Sequence, residues 1–295
     1  MIFYKRLWAI LMFSIVVLFP GAVRAEETLT PVDTHETRVT VIAKDMYTME
    51  SDASSMPGEV TVNRSDLSLE YATKAFDVLP VTFGFSYRHI DIKEDVPVEL
   101  PSHLEGLQFL AGAKFPMPFV ESDVYFMGFD LMPSWYTDDG SLDNSAFRLP
   151  FRLYGIYKPS DTFLFVLGAT INANADTAVT PIIGFNYQPD DHWNFHLATS
   201  EPTISYKLTE NWSVFGEYGA ILDEYEVTRA NQSGVVLKVR EASFGGGLKY
   251  VIEEWLDASI STGAAVGRRL AYRDNVGKVD VDGAPYIKAR LSFKF

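Results

Sequence analysis

The chain closes with Ala284-Pro-Tyr-Ile-Lys-Ala-Arg-Leu-Ser-Phe-Lys-Phe295, and the reading of these residues decides the fold. Ile287, Ala289, Leu291, Phe293 and Phe295 occupy one parity, and Tyr286, Lys288, Arg290, Ser292 and Lys294 the other. Successive side chains of a strand point to opposite faces, so the segment has one apolar face and one largely cationic face. A soluble sheet could use such a strand at an edge, but would gain nothing from an aromatic carboxy-terminal residue. A strand that crosses a bilayer in a closed barrel needs this alternation: hydrocarbon outside, water inside, an aromatic at the interface.

The same two-sided pattern recurs upstream. In 80–93, Val81, Phe83, Phe85 and Tyr87 are predicted to face lipid, and Thr82, Gly84, Ser86 and Arg88 the interior. In 146–157, Phe147, Leu149, Phe151 and Leu153 oppose Arg148 and Arg152. Beyond residue 25 no apolar run approaches the roughly 20 residues a spanning helix needs, and the mean hydropathy is +0.01. A spanning barrel escapes hydropathy analysis, because only alternate residues must be apolar.

Short turns flanked by aromatic residues punctuate these segments. They are Tyr157-Lys-Pro-Ser-Asp-Thr-Phe163, Tyr187-Gln-Pro-Asp-Asp-His-Trp193, Tyr206-Lys-Leu-Thr-Glu-Asn-Trp212 and Tyr250-Val-Ile-Glu-Glu-Trp255. Pro and Asp supply turn geometry. An aromatic leaving one strand and another entering the next lie at one depth, as in an interfacial girdle. Longer polar connections alternate with them at 95–104, 137–145, 172–177, 226–234 and 273–283.

The alternating segments are 38–49, 60–74, 80–93, 104–115, 123–135, 146–157, 163–172, 179–187, 193–198, 203–207, 212–223, 235–250, 255–269 and the closing strand. They predict an all-β, antiparallel transmembrane β-barrel of about 14 strands. Twelve remain if the first hairpin or the short pair around Ser200 does not cross; bacterial barrels have an even number.

At the other end, Lys5 and Arg6 precede an apolar stretch, Leu7 to Phe19, broken by Pro20-Gly21 and followed by Val23-Arg24-Ala25. This order predicts a signal peptide at 1–25. A short periplasmic arm at 26–37 and a barrel over 38–295 follow. The chain has 25 basic and 39 acidic residues and a net charge of −14. Losing Lys5, Arg6 and Arg24 makes the remainder more acidic still, which argues against a nucleic-acid partner. With no Cys, a lipid-anchored cysteine, disulfides and thiolate metal sites are excluded.

By parity the interior carries Glu70, Arg88, Lys114, Asp130, Arg148, Arg152, His196, Lys207, Glu217, Asp257, Lys288 and Arg290. One reading pairs these charges with each other across the bore. Another makes Arg148, Arg152, Lys288 and Arg290 an anion-handling lining. Leu164, Val166, Ile182 and Ile221 also point inward and favour a narrow, partly filled lumen.

The remaining acids are expected in loops: Glu94, Asp95, Glu99 and Glu105; Asp138, Asp139 and Asp143; Asp223, Glu224 and Glu226; Asp274, Asp280 and Asp282. Divalent cations could bridge such carboxylates to lipopolysaccharide, but no segment has calcium-loop spacing, so neither metal nor cofactor is assigned. No Gly-x-Ser-x-Gly elbow or phosphate-binding Gly-x-x-x-x-Gly-Lys is present, and His35-Glu36 lacks a second His at metalloprotease spacing. His89, or His196 with Ser200 or Ser205, would be the residues of a barrel lipid hydrolase, and no motif supports that alternative.

The terminal strand resembles the closing strand of Gram-negative outer-membrane barrels, whose last Phe is read by the barrel-assembly machinery. That makes Phe295 the candidate assembly signal. The layout around Leu164–Gly168, Pro181–Tyr187 and Pro202–Tyr206 likewise resembles a proteobacterial outer-membrane barrel family of unassigned function. The resemblance implies residence in the outer membrane beside lipid and lipopolysaccharide, and brings no catalytic residues. The function expected is a porin-like channel for small solutes. A closed structural or surface barrel with acidic loops is the alternative, ahead of a transporter of hydrophobic compounds.

Overall fold

A computed structural model describes residues 37–54, 56–76, 79–118, 120, 123–172, 178–229, 232–273 and 277–295, without the side chains of 232 and 233. The predicted leader and nearly all of the arm lie outside these residues.

The regular elements are strands throughout. They are β1 (Arg38–Thr48), β2 (Ser51–Asp52), β3 (Glu59–Ala75), β4 (Leu79–Glu94), β5 (His103–Pro116), β6 (Tyr125–Leu131), β7 (Ser134–Thr137), β8 (Phe147–Arg148) and β9 (Phe151–Ser160). There follow β10 (Phe163–Ile171), β11 (Val179–Tyr187), β12 (Trp193–His196), β13 (Thr203–Lys207), β14 (Trp212–Arg229), β15 (Gln232–Glu253), β16 (Leu256–Tyr272), β17 (Lys278–Val281) and β18 (Ala284–Lys294). The short β2, β7, β8 and β17 extend β1, β6, β9 and β18, so the wall has 14 strands. Pro133 and Pro150, which lack an N–H, sit at two of the interruptions.

Neighbouring strands pair antiparallel around the ring, and β18 pairs with both β16 and β1, closing the cylinder. Val39 and Phe295 exchange two backbone hydrogen bonds of 2.8 Å at this seam. Closure follows from the solvent, since an unpaired backbone group in hydrocarbon costs several kcal/mol. The first hairpin belongs to the wall, and so does the β12–β13 pair, although its strands are only four and five residues long.

Outside, Phe83, Phe109, Phe129, Leu153, Leu167, Ile183, Phe244, Ile260 and Leu291 are exposed, forming an apolar band. The turn aromatics touch around one rim. Ring centroids lie 4.9 Å apart for Tyr125 and Tyr157, 4.9 Å for Trp193 and Tyr206, 4.6 Å for Trp212 and Tyr250, and 6.0 Å for Trp255 and Phe295.

The wall is uneven in height. β10 and β11 have nine residues each, about 30 Å of strand at roughly 3.3 Å per residue. By contrast β3, β14, β15 and β16 have 17, 18, 22 and 17. Their far ends form a crown beyond the band, and there the side-chain pattern inverts. In β4, Phe83 is exposed and Thr82 buried near the rim, whereas Ile90 and Ile92 are buried further up with Asp91 exposed. Beyond the bilayer the outside is wet, so the apolar residues turn inward.

The crown is narrower than the rim. β14 reaches past β9–β13 to β7, where Glu226 lies opposite Thr137 and the Thr228 N–H donates to Asp138 Oδ2 at 2.9 Å. Val60, Ile90, Ile92, Leu104, Tyr136, Ile221, Tyr225, Val227, Leu237, Leu270 and Val279 fill it with a dry core. Each such side chain contributes about 1.5–3 kcal/mol when buried.

Two sequence expectations are corrected here. The polar connection expected at 226–234 is mostly strand, because β14 runs to Arg229 and β15 starts at Gln232. Asp223, expected in a loop, is buried inside the barrel. Glu94 in β4, Glu105 in β5, Glu224 and Glu226 in β14 and Asp280 in β17 also lie on strands rather than in loops, and Asp274 lies outside the described residues. The alternation of Asp223, Tyr225 and Val227 with Glu224 and Glu226 is the inverted crown pattern, which composition alone presents as a polar loop.

Candidate functional site

The rim half of the barrel encloses a vestibule of about 690 Å³. A smaller chamber of about 70 Å³ lies deeper, lined by Lys44, Arg64, Asp66, Arg88, Gln108, Tyr136 and Gly219, among others. Glu201 lines both, flanked by Thr199 on the vestibule side and Ser200 on the chamber side. These residues belong to a strap, 197–202, that joins β12 to β13.

The strap leaves the wall because β12 stops at His196. The Leu197 N–H donates to the Phe185 carbonyl at 2.9 Å, and the Ala198 N–H to Asn186 Oδ1 at 3.2 Å. The chain then crosses the inner face of β11 at Gly184. A Cβ there would stand 2.6 Å from Ala198 Cα, so glycine is what lets the strap pass. It rejoins the wall where the Tyr218 N–H donates to the Pro202 carbonyl at 3.0 Å.

Across the bore the strap is held by charge. Lys44 Nζ on β1 donates to Glu201 Oε1 at 3.0 Å, and Lys288 Nζ on β18 lies 3.9 Å from Glu201 Oε2. Lys288 also donates to Glu217 Oε2 at 2.5 Å, while Ser261 Oγ and the Tyr286 hydroxyl donate to Glu217 Oε1 at 2.6 and 3.0 Å. One layer up, Arg88 donates to Asp66 Oδ1 at 2.5 Å and to Asp223 Oδ2 at 3.1 Å, with Arg64 Nε 3.2 Å from Asp66. Charges withdrawn from water persist only when partnered in this way.

Strand register arranges the vestibule wall further. Lys207 lies opposite Ser213, Ser213 opposite Lys249, Lys249 opposite Ser259, Ser259 opposite Arg290, and Arg290 opposite Lys44. Beyond Lys44 the row continues through Asp66 and Arg88. Its first five residues line the vestibule, and Lys44, Asp66 and Arg88 line the inner chamber. Strands tilt by about 35–45° in such barrels, so a row running straight across them climbs from rim to interior.

No protein-family model and no curated protein matches the chain. Among solved structures, an outer-membrane channel from Pseudomonas putida F1 is similar at 10% identity, covering 90% of this chain and 100% of that one, with a TM-score of 0.47. The Pseudomonas putida toluene transporter TodX is similar at 10% identity, covering 95% and 92%, with a TM-score of 0.39. The KdgM porin is similar at 10% identity, covering 86% and 99%, with a TM-score of 0.35. At these values the functional reading rests on this chain's own geometry.

The residues anticipated from parity are dispersed. Glu70, Glu217, Lys288 and Arg290 line the vestibule with His196, Lys207 and Asp257. Arg88 sits in the charged layer above. Asp130 and Arg152 form a fully buried pair at 3.0 Å beneath β6 and β9, where the Tyr154 hydroxyl donates to Asp130 Oδ1 at 3.3 Å. Arg148 donates to the carbonyls of Ser145 and Phe147 at 2.6 and 2.9 Å. Arg148 and Arg152 therefore do not share a lining with Lys288 and Arg290.

The hydrolase candidates divide: His196 and Ser205 both line the vestibule on the paired strands β12 and β13, Ser200 lines the inner chamber, and His89 lines neither cavity. His89 lies beside Asp91 and stacks on His103. Ser65, opposite His89, donates to Asp45 instead. Sequence reasoning missed Lys44, Arg64, Asp66, Lys249 and Glu201. The first four were readable from inward parity in their strands. Glu201 was not, because strand parity does not fix where a loop residue points.

Proposed function

We propose that this protein is an outer-membrane channel for small solutes, seen closed, with the aromatic rim toward the periplasm and the crown outside. The observation that carries the reading is the strap, which lies between two cavities of one bore and is tied across it by the Glu201 carboxylate. A wall element needs no such fastening, whereas a movable partition does. On this reading Phe295, at the seam, is the residue the assembly machinery engages.

The crown core blocks the axial exit, so the route leaves beside β14. β11 pairs with β12 only at Asn186 and Tyr187, and β14 pairs with β13 only up to Glu217. Among the described residues the upper parts of β11 and β14 have no strand between them. Backbone edges left unpaired at membrane depth persist where they are covered by protein or line a water-filled cavity. A wet notch under the crown meets that requirement and opens at the outer interface.

Planar-bilayer recording tests the proposal. Wild type should open rarely and Glu201→Gln frequently, because the carboxamide holds Lys44 and Lys288 far less strongly. A flat trace from well-folded Glu201→Gln protein would sink the channel reading. The packed crown favours a second reading, a closed barrel with a structural role, and that outcome would select it.

A further inference from the structure

We infer that the row from Lys207 to Lys44 is a binding track for small polyanions bearing carboxylate or phosphate groups, and that Glu201 occupies its inner end in place of the solute. The inference rests on the channel reading for its route, but the site itself is read from geometry.

The track is built by register. Adjacent strands lie about 4.7–4.9 Å apart, so Lys207, Lys249 and Arg290 follow one another at roughly 10 Å, with a serine hydroxyl between each pair. Arg290 and Lys44 sit on neighbouring strands and can share one anionic group. The neighbouring carboxylates are each shared among several donors: Asp257 lies 3.2 Å from Lys249 of the track and 3.1 Å from Lys294, and Glu217 accepts from Lys288, Ser261 and Tyr286. Asp66 is bracketed by Arg64 and Arg88.

Composition makes the arrangement informative. The chain has 39 acidic against 25 basic residues, yet this stretch of wall is cationic. Lys207, Lys249, Lys288, Arg290 and Lys294 line the vestibule along and beside the row, against Glu201, Glu217 and Asp257, while Glu70, Asp191 and Glu210 complete the acidic part of the lining. Glu201 differs from Glu217 and Asp257 because it arrives on a loop, across the bore. A tethered carboxylate seated on Lys44 marks the chemistry that the position accepts. An incoming polyanion competes for the same lysine, so loading the track also unfastens the strap.

The test measures citrate and inorganic phosphate binding to the full-length protein in detergent by calorimetry. Glu201→Gln should bind citrate about fivefold or more tighter than wild type, because the internal competitor is gone. Arg290→Gln or Lys249→Gln in that background should each lose about fivefold, roughly one charge pair's worth. Lys207→Gln, at the exposed rim, provides a variant that does not disturb the interior. Whichever of the two probes binds more tightly identifies the preferred group.

Equal citrate affinity in wild type, Glu201→Gln and the rim variant overturns the track, whatever the conductance. Citrate binding that follows the predicted order in protein that passes no current would remove the channel reading and leave the site standing.

Discussion

Buried charges in this barrel are partnered one by one, and the Asp130–Arg152 pair shows what that costs. Both side chains are wholly inaccessible. Arg152→Met should lower stability by about 3–5 kcal/mol, because it removes the guanidinium that balances a fully buried carboxylate. Adding Asp130→Leu should recover most of the loss, as read from urea unfolding midpoints in detergent. At the rim, Asp190 accepts the N–H groups of His192 and Trp193, both at 2.8 Å. Those two bonds hold its carboxyl below the usual carboxylate range. Its stabilisation of the turn is therefore complete above the ordinary carboxylate pKa and is lost as pH falls through the lowered one. Amide exchange at His192 and Trp193 should stay slow until strongly acid pH in wild type, and be fast at neutral pH in Asp190→Ala.

Single strands here cross three solvents, and their side chains record each boundary. β14 exposes Trp212 and Val214 to the oil-facing band, turns Glu217 into the wet interior, and then buries Ile221, Tyr225 and Val227 in the crown. The alternation itself was legible in the sequence, and with it the barrel, the strand number and the aromatic turns. What misled was the change of sign: once acids face outward and apolar residues inward, a strand above the bilayer reads as a polar connection. Neither the crown nor the strap could be read from parity, the first because β14 meets a strand remote in sequence, the second because β12 simply ends early. Tyr225→Ala should remove about 3–5 kcal/mol from the crown core. Destabilisation should appear as faster proteolysis of the connections between the long strands while the rim half stays protected.

The molecule as a whole is a wide cylinder with a narrow dry cap, lower on the side of β12 and β13. If solutes leave through that low side, filling it should stop them. Ala220→Trp, on the β14 edge lining the inner chamber, should reduce the conductance of Glu201→Gln by severalfold. An undiminished current would place the exit elsewhere. The two lysines that fasten the strap have a further consequence. Lys44 and Lys288 belong to β1 and β18, whose pairing spans nearly the entire described chain. In a sheet that has not yet joined its ends, Glu201 would find neither residue beside the other, and the partition would hang unfastened. The bolt can be shot only in a finished wall, so on the channel reading a pore would complete its assembly already shut.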